Sequence, residues 1–264
     1  GEQAKLPVQI THIKLGTVGV WGKAPEVIAL IEAARARGMD VTADAYPYLA
    51  WHSNLKVLVP NRQWTDPASV KKALDDVGGG RNIQITRLPK FPQYVGQRLD
   101  AIARAEGVGE VDLYIRIVVD EDAGVIGHTM IAEDLRTFYR QPWVMVASDG
   151  GIGMSHPRGA GTFPRVLGRF VREEQWLTLQ DAIRKMTSLP ASRLGLKDRG
   201  VIRAGMKADL VLFDPAAVVD LSTFEQPSLR ARGIQMVFVN GVPVVGAPNS
   251  RKQQPGRVLG KGGH

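Results

Sequence analysis

Residues 7–48 lay out a strand, a helix and a second strand within about 40 residues, a βαβ pattern that commits the chain to parallel strands covered by helices. The first run, residues 7–14, ends in polar side chains and gives way to a Gly-punctuated loop over 15–22. Val27, Leu30, Ile31 and Ala34 then recur at helical spacing. Pro25 suits the first turn, and Gly38 stands where a helix end wants a left-handed residue. The second strand, residues 40–48, again ends polar and aromatic.

The rhythm breaks over residues 60–118, where Gly78-Gly79-Gly80, several prolines and a mixed helical pattern near 99–105 read as an insertion. The three glycines are no phosphate cradle, because no Lys-Ser/Thr follows and no strand leads into them. Regularity returns with a helix over 131–140. Pro142 then opens the buried-looking strand Trp143-Val144-Met145-Val146-Ala147, which stops at Ser148-Asp149-Gly150. Helices are expected over 163–174 and 179–189, the second started by Thr178 and Asp181 in a capping-box spacing with Asp in place of Glu. Strands at 208–213 and 234–239, the latter turning at Asn240-Gly241, belong to a small β-domain. The Gly-, Pro- and Lys/Arg-rich tail 247–264 is expected to lie extended.

Composition narrows the chemistry. At 264 residues, with 44% hydrophobic and 23% charged residues, the chain is long enough to bury a sizeable core without a metal or disulfide for stability. It has no cysteine, so any metal held within it must use nitrogen and oxygen ligands. The net charge of +8 is scattered and not interleaved with aromatics, which argues against a nucleic-acid platform. No apolar run reaches the roughly 18–20 residues of a membrane span, and a cytoplasmic location is expected. The chain opens on Gly1-Glu2-Gln3-Ala4-Lys5, without an initiator methionine or signal pattern, so the natural N-terminus is expected elsewhere.

Three strand ends carry reactive side chains: His12 with Lys14, Tyr46 with Tyr48, and Asp149. In a parallel β/α barrel the active site is assembled at those ends. Taken singly, each residue has a blander reading. A lone histidine is more often a core or capping residue, Asp before Gly is a common turn pair, and most Lys and Arg are solvated.

The motifs Ile10-Thr11-His12-Ile13-Lys14, Asp44-Ala45-Tyr46-Pro47-Tyr48, Ser148-Asp149-Gly150, His156-Pro157-Arg158, the run 161–168, Lys185-Met186-Thr187, Arg199-Gly200, Ala208-Asp209-Leu210-Val211 and Val239-Asn240-Gly241 stand in this order along the chain. Together they resemble the second half of D-aminoacylases and related N-acyl-D-amino-acid deacylases. The resemblance implies an α/β fold, the C-terminal part of a metal-dependent β/α (TIM-like) barrel with an insertion, plus strands of a small β-sandwich. It divides the chain into barrel strands 6–7 (1–59), an inserted subdomain (60–130), barrel strand 8 and its helices (131–200), β-domain strands (201–246) and the tail (247–264). The implied reaction is zinc-dependent hydrolysis of an N-acyl-D-amino acid. Asp149 would be the general base and acid as well as a metal residue, His12 a metal ligand, and Lys14, Tyr46 and Arg158 the residues that hold the substrate carboxylate. Tyr48 shares a strand face with Tyr46 and competes for its role. His52 stands where a small polar substrate-binding residue is expected, His128 reads as structural, and His156 as shaping the loop that presents Arg158.

The family also supplies a His-x-His pair and further ligands from its first half, and this sequence contains no His-x-His. A zinc site takes three or four protein ligands. The expectation is therefore a chain that provides part of a site, with the remaining zinc ligands and a partner surface coming from a missing N-terminal half, or else self-association. Two other readings remain open at this point: a cyclic-amide hydrolase related to dihydroorotases and hydantoinases, and a noncatalytic scaffold.

Overall fold

A computed structural model of the chain describes residues 1–259; residues 260–264, His264 and the end of the expected tail among them, lie outside the described residues. In chain order the elements are β1 (Val8–Ile10), α1 (Ala24–Ala36), β2 (Val41–Ala45), β3 (Trp51–Asn54), α2 (Pro67–Asp76), β4 (Ile83–Arg87), α3 (Leu99–Glu106), α4 (Glu110–Asp120) and β5 (Gly124–Gly127). Then follow α5 (Ala132–Tyr139), β6 (Val144–Val146), α6 (Arg158–Arg165), α7 (Leu179–Met186), α8 (Ser188–Arg193), β7 (Leu210–Phe213), β8 (Ile234–Val239) and β9 (Val242–Val245). They fall into two compact units. One comprises residues 1–13, 33–47 and 138–264, the other residues 14–32 and 48–137.

The first unit holds the parallel sheet β1-β2-β6. Val8 pairs with Val41 and Ile10 with Ala43, while Ala43 and Ala45 pair with Val144 and Val146. Every residue of β6 is buried, as its unbroken apolar run demands. Tyr139, also buried, donates its hydroxyl to the Ala45 carbonyl at 2.9 Å. Helix α6 starts at Arg158 rather than near 163, because the Gly161 N–H reaches the Pro157 carbonyl (2.8 Å) and the Thr162 hydroxyl reaches that of Arg158 (2.8 Å). Pro164, lacking an N–H, sits inside this helix, and from Val166 to Glu173 the winding loosens to a π-helix. Thr178 caps α7 by accepting the Asp181 N–H (3.1 Å), whereas the Asp181 carboxylate turns to Arg184 instead of completing the box.

Two cations of α7 clasp the turn that leads into β6. Arg184 donates to the Pro142 carbonyl at 2.7 Å, and fully buried Lys185 donates to the carbonyls of Gln141 and Val144, the latter at 3.0 Å. Burial pulls the Lys185 amine down to about 8, partly opposed by Asp181. Between that value and the ordinary one near 10.5 the unfolded chain keeps a proton that the native state has released. Native stability should therefore rise with pH across this window, by up to about 3 kcal/mol. Urea unfolding from pH 7.5 to 10 tests this: the wild-type midpoint should climb relative to Lys185→Met, and parallel curves would show an amine of ordinary basicity.

The antiparallel sheet β7-β8-β9 belongs to the same unit. Val211 and Leu212 of its edge strand β7 are 55% and 51% exposed. That is a large apolar exposure for neighbouring residues of one strand.

The second unit is built on the antiparallel sheet β3-β5-β4. Ile83, Ile85 and Val125 point from it into a core completed by Leu113, Tyr114 and Ile117. Gly127 is required here, since an added Cβ would lie 2.1 Å from the Trp51 ring. Asp66 caps α2 by accepting the Ser69 N–H at 2.8 Å, and hydrogen bonds from the Ser69 side chain and backbone hold its carboxyl below the usual value. The buried Asp134 carboxylate of α5 accepts the N–H groups of Gly22 (2.9 Å) and Ala24 (3.1 Å), fixing the start of α1. Among the described residues no helix is long and apolar enough to cross a membrane.

Candidate active site

Because β1, β2 and β6 run parallel, the segments after Ile10, Ala45 and Val146 emerge from the same end of the sheet. They carry His12, Tyr46 and Asp149. His12 has a left-handed backbone (φ 43°). Its N–H donates to the Asp44 carboxylate at 2.8 Å, and the next N–H, of Ile13, donates to the Asp44 carbonyl at 2.8 Å. Asp44 is steadied in turn by the Gln9 amide at 2.7 Å, and Gln9 accepts the Thr42 hydroxyl at 2.5 Å. This chain of polar groups sets the turn that presents the exposed His12 side chain.

Asp149 also has a left-handed backbone (φ 45°). Asp and His tolerate this region better than most residues, yet it still costs on the order of 1 kcal/mol, and such outliers concentrate at functional sites. The Ala147 N–H, bonded to the Ala45 carbonyl at 3.0 Å, extends the β2–β6 pairing almost to Asp149. Arg158 then grips the residue twice: Nε donates to the Asp149 carbonyl at 2.9 Å, and Nη2 lies 2.9 Å from the carboxylate. The Arg158 side chain is 4% exposed and that of Asp149 36%, so a buried cation anchors a carboxylate that still reaches solvent. Two of the five guanidinium donors are used in this way.

The Arg158 guanidinium carbon stands 4.7 Å from the centre of the Tyr46 ring. Burial drives the Tyr46 phenol well above its ordinary value, Asp149 adding to the shift and Arg158 opposing it. Tyr46 is thus a permanent phenol, able to donate a hydrogen bond to an anion. Lys14 is half-buried and is the first residue of the second unit, whereas His12, Tyr46, Asp149 and Arg158 belong to the first.

Two residues of this neighbourhood escape a reading by residue type: Asp44, which acts through the His12 turn, and Phe224, which packs edge-on against His156 at 5.1 Å. The one sequence signal for Asp44 is a carboxylate near the end of the strand Val41–Ala45. His156, expected to shape the loop that presents Arg158, accepts the Arg158 backbone N–H at 3.0 Å. Of the remaining histidines, His52 lies on β3 with Nε2 3.5 Å from the Thr86 hydroxyl, and His128 contacts the Gln84 side chain at 3.1 Å. Among the described residues no group of three or more His, Cys, Asp or Glu side chains is placed to hold a metal ion.

The sequence matches the model of the amidohydrolase family over residues 21–245. It is 39% identical over 266 residues to a D-aminoacylase of Alcaligenes xylosoxydans xylosoxydans, covering 99% of this chain and 50% of that protein. It is 37% identical to an N-acyl-D-glutamate deacylase of the same organism, covering 98% and 49%. Among solved structures, the N-acyl-D-glutamate deacylase of Bordetella bronchiseptica, determined with zinc and a phosphonate mimic of the tetrahedral intermediate, superposes with a TM-score of 0.81 at 33% identity, over 94% of this chain and 48% of that one. The chain spans about half the length of the curated relatives it matches. With a family match running through β2, β6 and the Asp149 loop, the chain belongs to the amidohydrolase family.

Proposed function

We propose that this chain supplies part of the active site of a zinc-dependent deacylase that hydrolyses the amide bond of N-acyl-D-amino acids. The observation that carries the reading is Asp149, held at the end of β6 in a left-handed backbone by a buried arginine while its carboxylate stays open to solvent. The relatives, named for D-amino-acid substrates, supply the substrate class. In this reading β1, β2 and β6 are the sixth to eighth strands of a β/α barrel, residues 60–130 form an insertion, and β7–β9 form half of a β-sandwich.

The metal requirement is met only in part. An imidazole at His12 and a carboxylate at Asp149 are suitable zinc donors, and the other ligands must come from outside the described residues. Zinc, when bound, lowers the pKa of water to about 7 and so makes hydroxide available near neutrality. Asp149 accepts the proton of the attacking water and returns it to the amide nitrogen, whose departure as an anion is prohibitive. Tyr46 and the remaining Arg158 donors suit a substrate carboxylate, and Lys14, which the family resemblance matches to the same role, belongs to the second unit.

The test uses the chain completed by the N-terminal half of a full-length relative, assayed on N-acetyl-D-amino acids, the matching amides and hydantoins. Turnover of hydantoins alone would replace the linear-amide reading with the cyclic one. Lys14→Ala should cost about 1.5–3 kcal/mol in kcat/KM on the acids and much less on the amides. Arg158→Ala should lose the same discrimination and also lower kcat on both, because it frees Asp149. Equal losses of Lys14→Ala toward acid and amide would remove Lys14 from carboxylate recognition.

A further inference from the structure

His156 is fully buried, and its Nδ1 accepts the Arg158 backbone N–H at 3.0 Å. A backbone N–H only donates, so Nδ1 carries no proton and the neutral ring holds its proton on Nε2. The ring is wedged between two aromatics, 6.3 Å from Tyr46 and 5.1 Å from Phe224, both edge-on. The bonded N–H is one of the first donors of α6, which intrahelical bonding leaves over, and Pro157 at the cap has no side-chain acceptor to offer it. The same residue, Arg158, grips Asp149 at its carbonyl and carboxylate. Slack between the two segments is small, since a Cβ added at Gly150 would lie 2.7 Å from the Gly159 Cα.

We propose that His156 is the positioning residue for the Arg158–Asp149 pair. As a neutral imidazole it pins the first N–H of α6, and so holds the guanidinium over Tyr46 and on Asp149. Its consequence for turnover rests on the deacylase reading above, whereas its effect on Arg158 does not.

Two variants separate an acceptor from a space-filler. His156→Leu fills the aromatic cage without an acceptor, and His156→Asn keeps an oxygen that reaches the N–H two residues on, as in an Asx turn. Magic-angle-spinning NMR of the full chain with labelled histidine and arginine should find Nδ1 of His156 bare and Nε2 protonated. It should also find the Arg158 Nε signal displaced in His156→Leu and restored in His156→Asn. An imidazolium, an Nδ1–H tautomer, or an undisplaced Arg158 signal in the leucine variant overturns the proposal. If His156→Leu does not fold, the wild-type tautomer and the position of the Arg158 signal in His156→Asn decide. In the completed enzyme, His156→Leu should lower kcat/KM on the order of tenfold or more, with His156→Asn recovering most of it. Equal loss in both variants would mean packing alone. If the completed wild type hydrolyses no N-acyl-D-amino acid, the deacylase reading falls and the NMR result still judges the role of His156.

Discussion

Replacing Asp149 with asparagine is expected to lower turnover of the completed enzyme by about 10²- to 10⁴-fold while the fold is retained, the usual contribution of a positioned acid–base group. Asparagine tolerates the left-handed backbone that Asp149 adopts, and the carbonyl bond from Arg158 Nε is untouched by the change. Its amide oxygen can still accept from Nη2, so the buried guanidinium keeps a partner. What the variant lacks is a group that takes and returns a proton. Measuring kcat alongside zinc content and thermal unfolding separates this loss from loss of the ion or of structure. Turnover near that of the wild type would take Asp149 out of the mechanism.

The parts of the site that were legible in the sequence are those fixed by local pattern. An unbroken apolar run that stops at Ser148-Asp149-Gly150 reads as a strand covered on both faces, and β6 is wholly buried with Asp149 just beyond it. Where tertiary contacts override local preference, the reading fails. Gly159 and Gly161 look like a loop, yet bonds to the Pro157 and Arg158 carbonyls wind this segment into α6. The Asn240-Gly241 turn does lead into a strand, β9, an outer strand of its sheet where Pro243 is tolerated opposite Phe238. The grip of Arg158 on Asp149, nine residues apart, and the cage that Phe224 completes around His156 follow from chain reversal, which no spacing rule encodes.

The isolated chain of 264 residues should neither hydrolyse N-acyl-D-amino acids nor hold stoichiometric zinc, and both properties should appear once the N-terminal half of a full-length relative is supplied. Ligand number is the first reason. His12 follows β1 and Asp149 follows β6, strands separated by β2, and no three-ligand group exists among the described residues. Two donors leave an ion mostly hydrated, whereas protein zinc sites use three or four. The sheets give the second reason. Strands β1 and β6 are outer strands of an open parallel sheet, and β7 presents exposed Val211 and Leu212 on an outer strand of another. Unpaired edges with apolar side chains favour pairing with further strands or association with other copies. The decisive comparison is the purified chain alone against the chain co-expressed with the N-terminal half of a full-length relative. Bound zinc, acetate released from N-acetyl-D-amino acids and elution volume would be measured for each. Addition of the half should raise zinc toward stoichiometry, switch on hydrolysis and shift the chain from self-associated species to a defined complex. Stoichiometric zinc and robust turnover by the chain alone would sink the partial-site reading, because the described residues would then hold a metal centre that His12 and Asp149 do not account for.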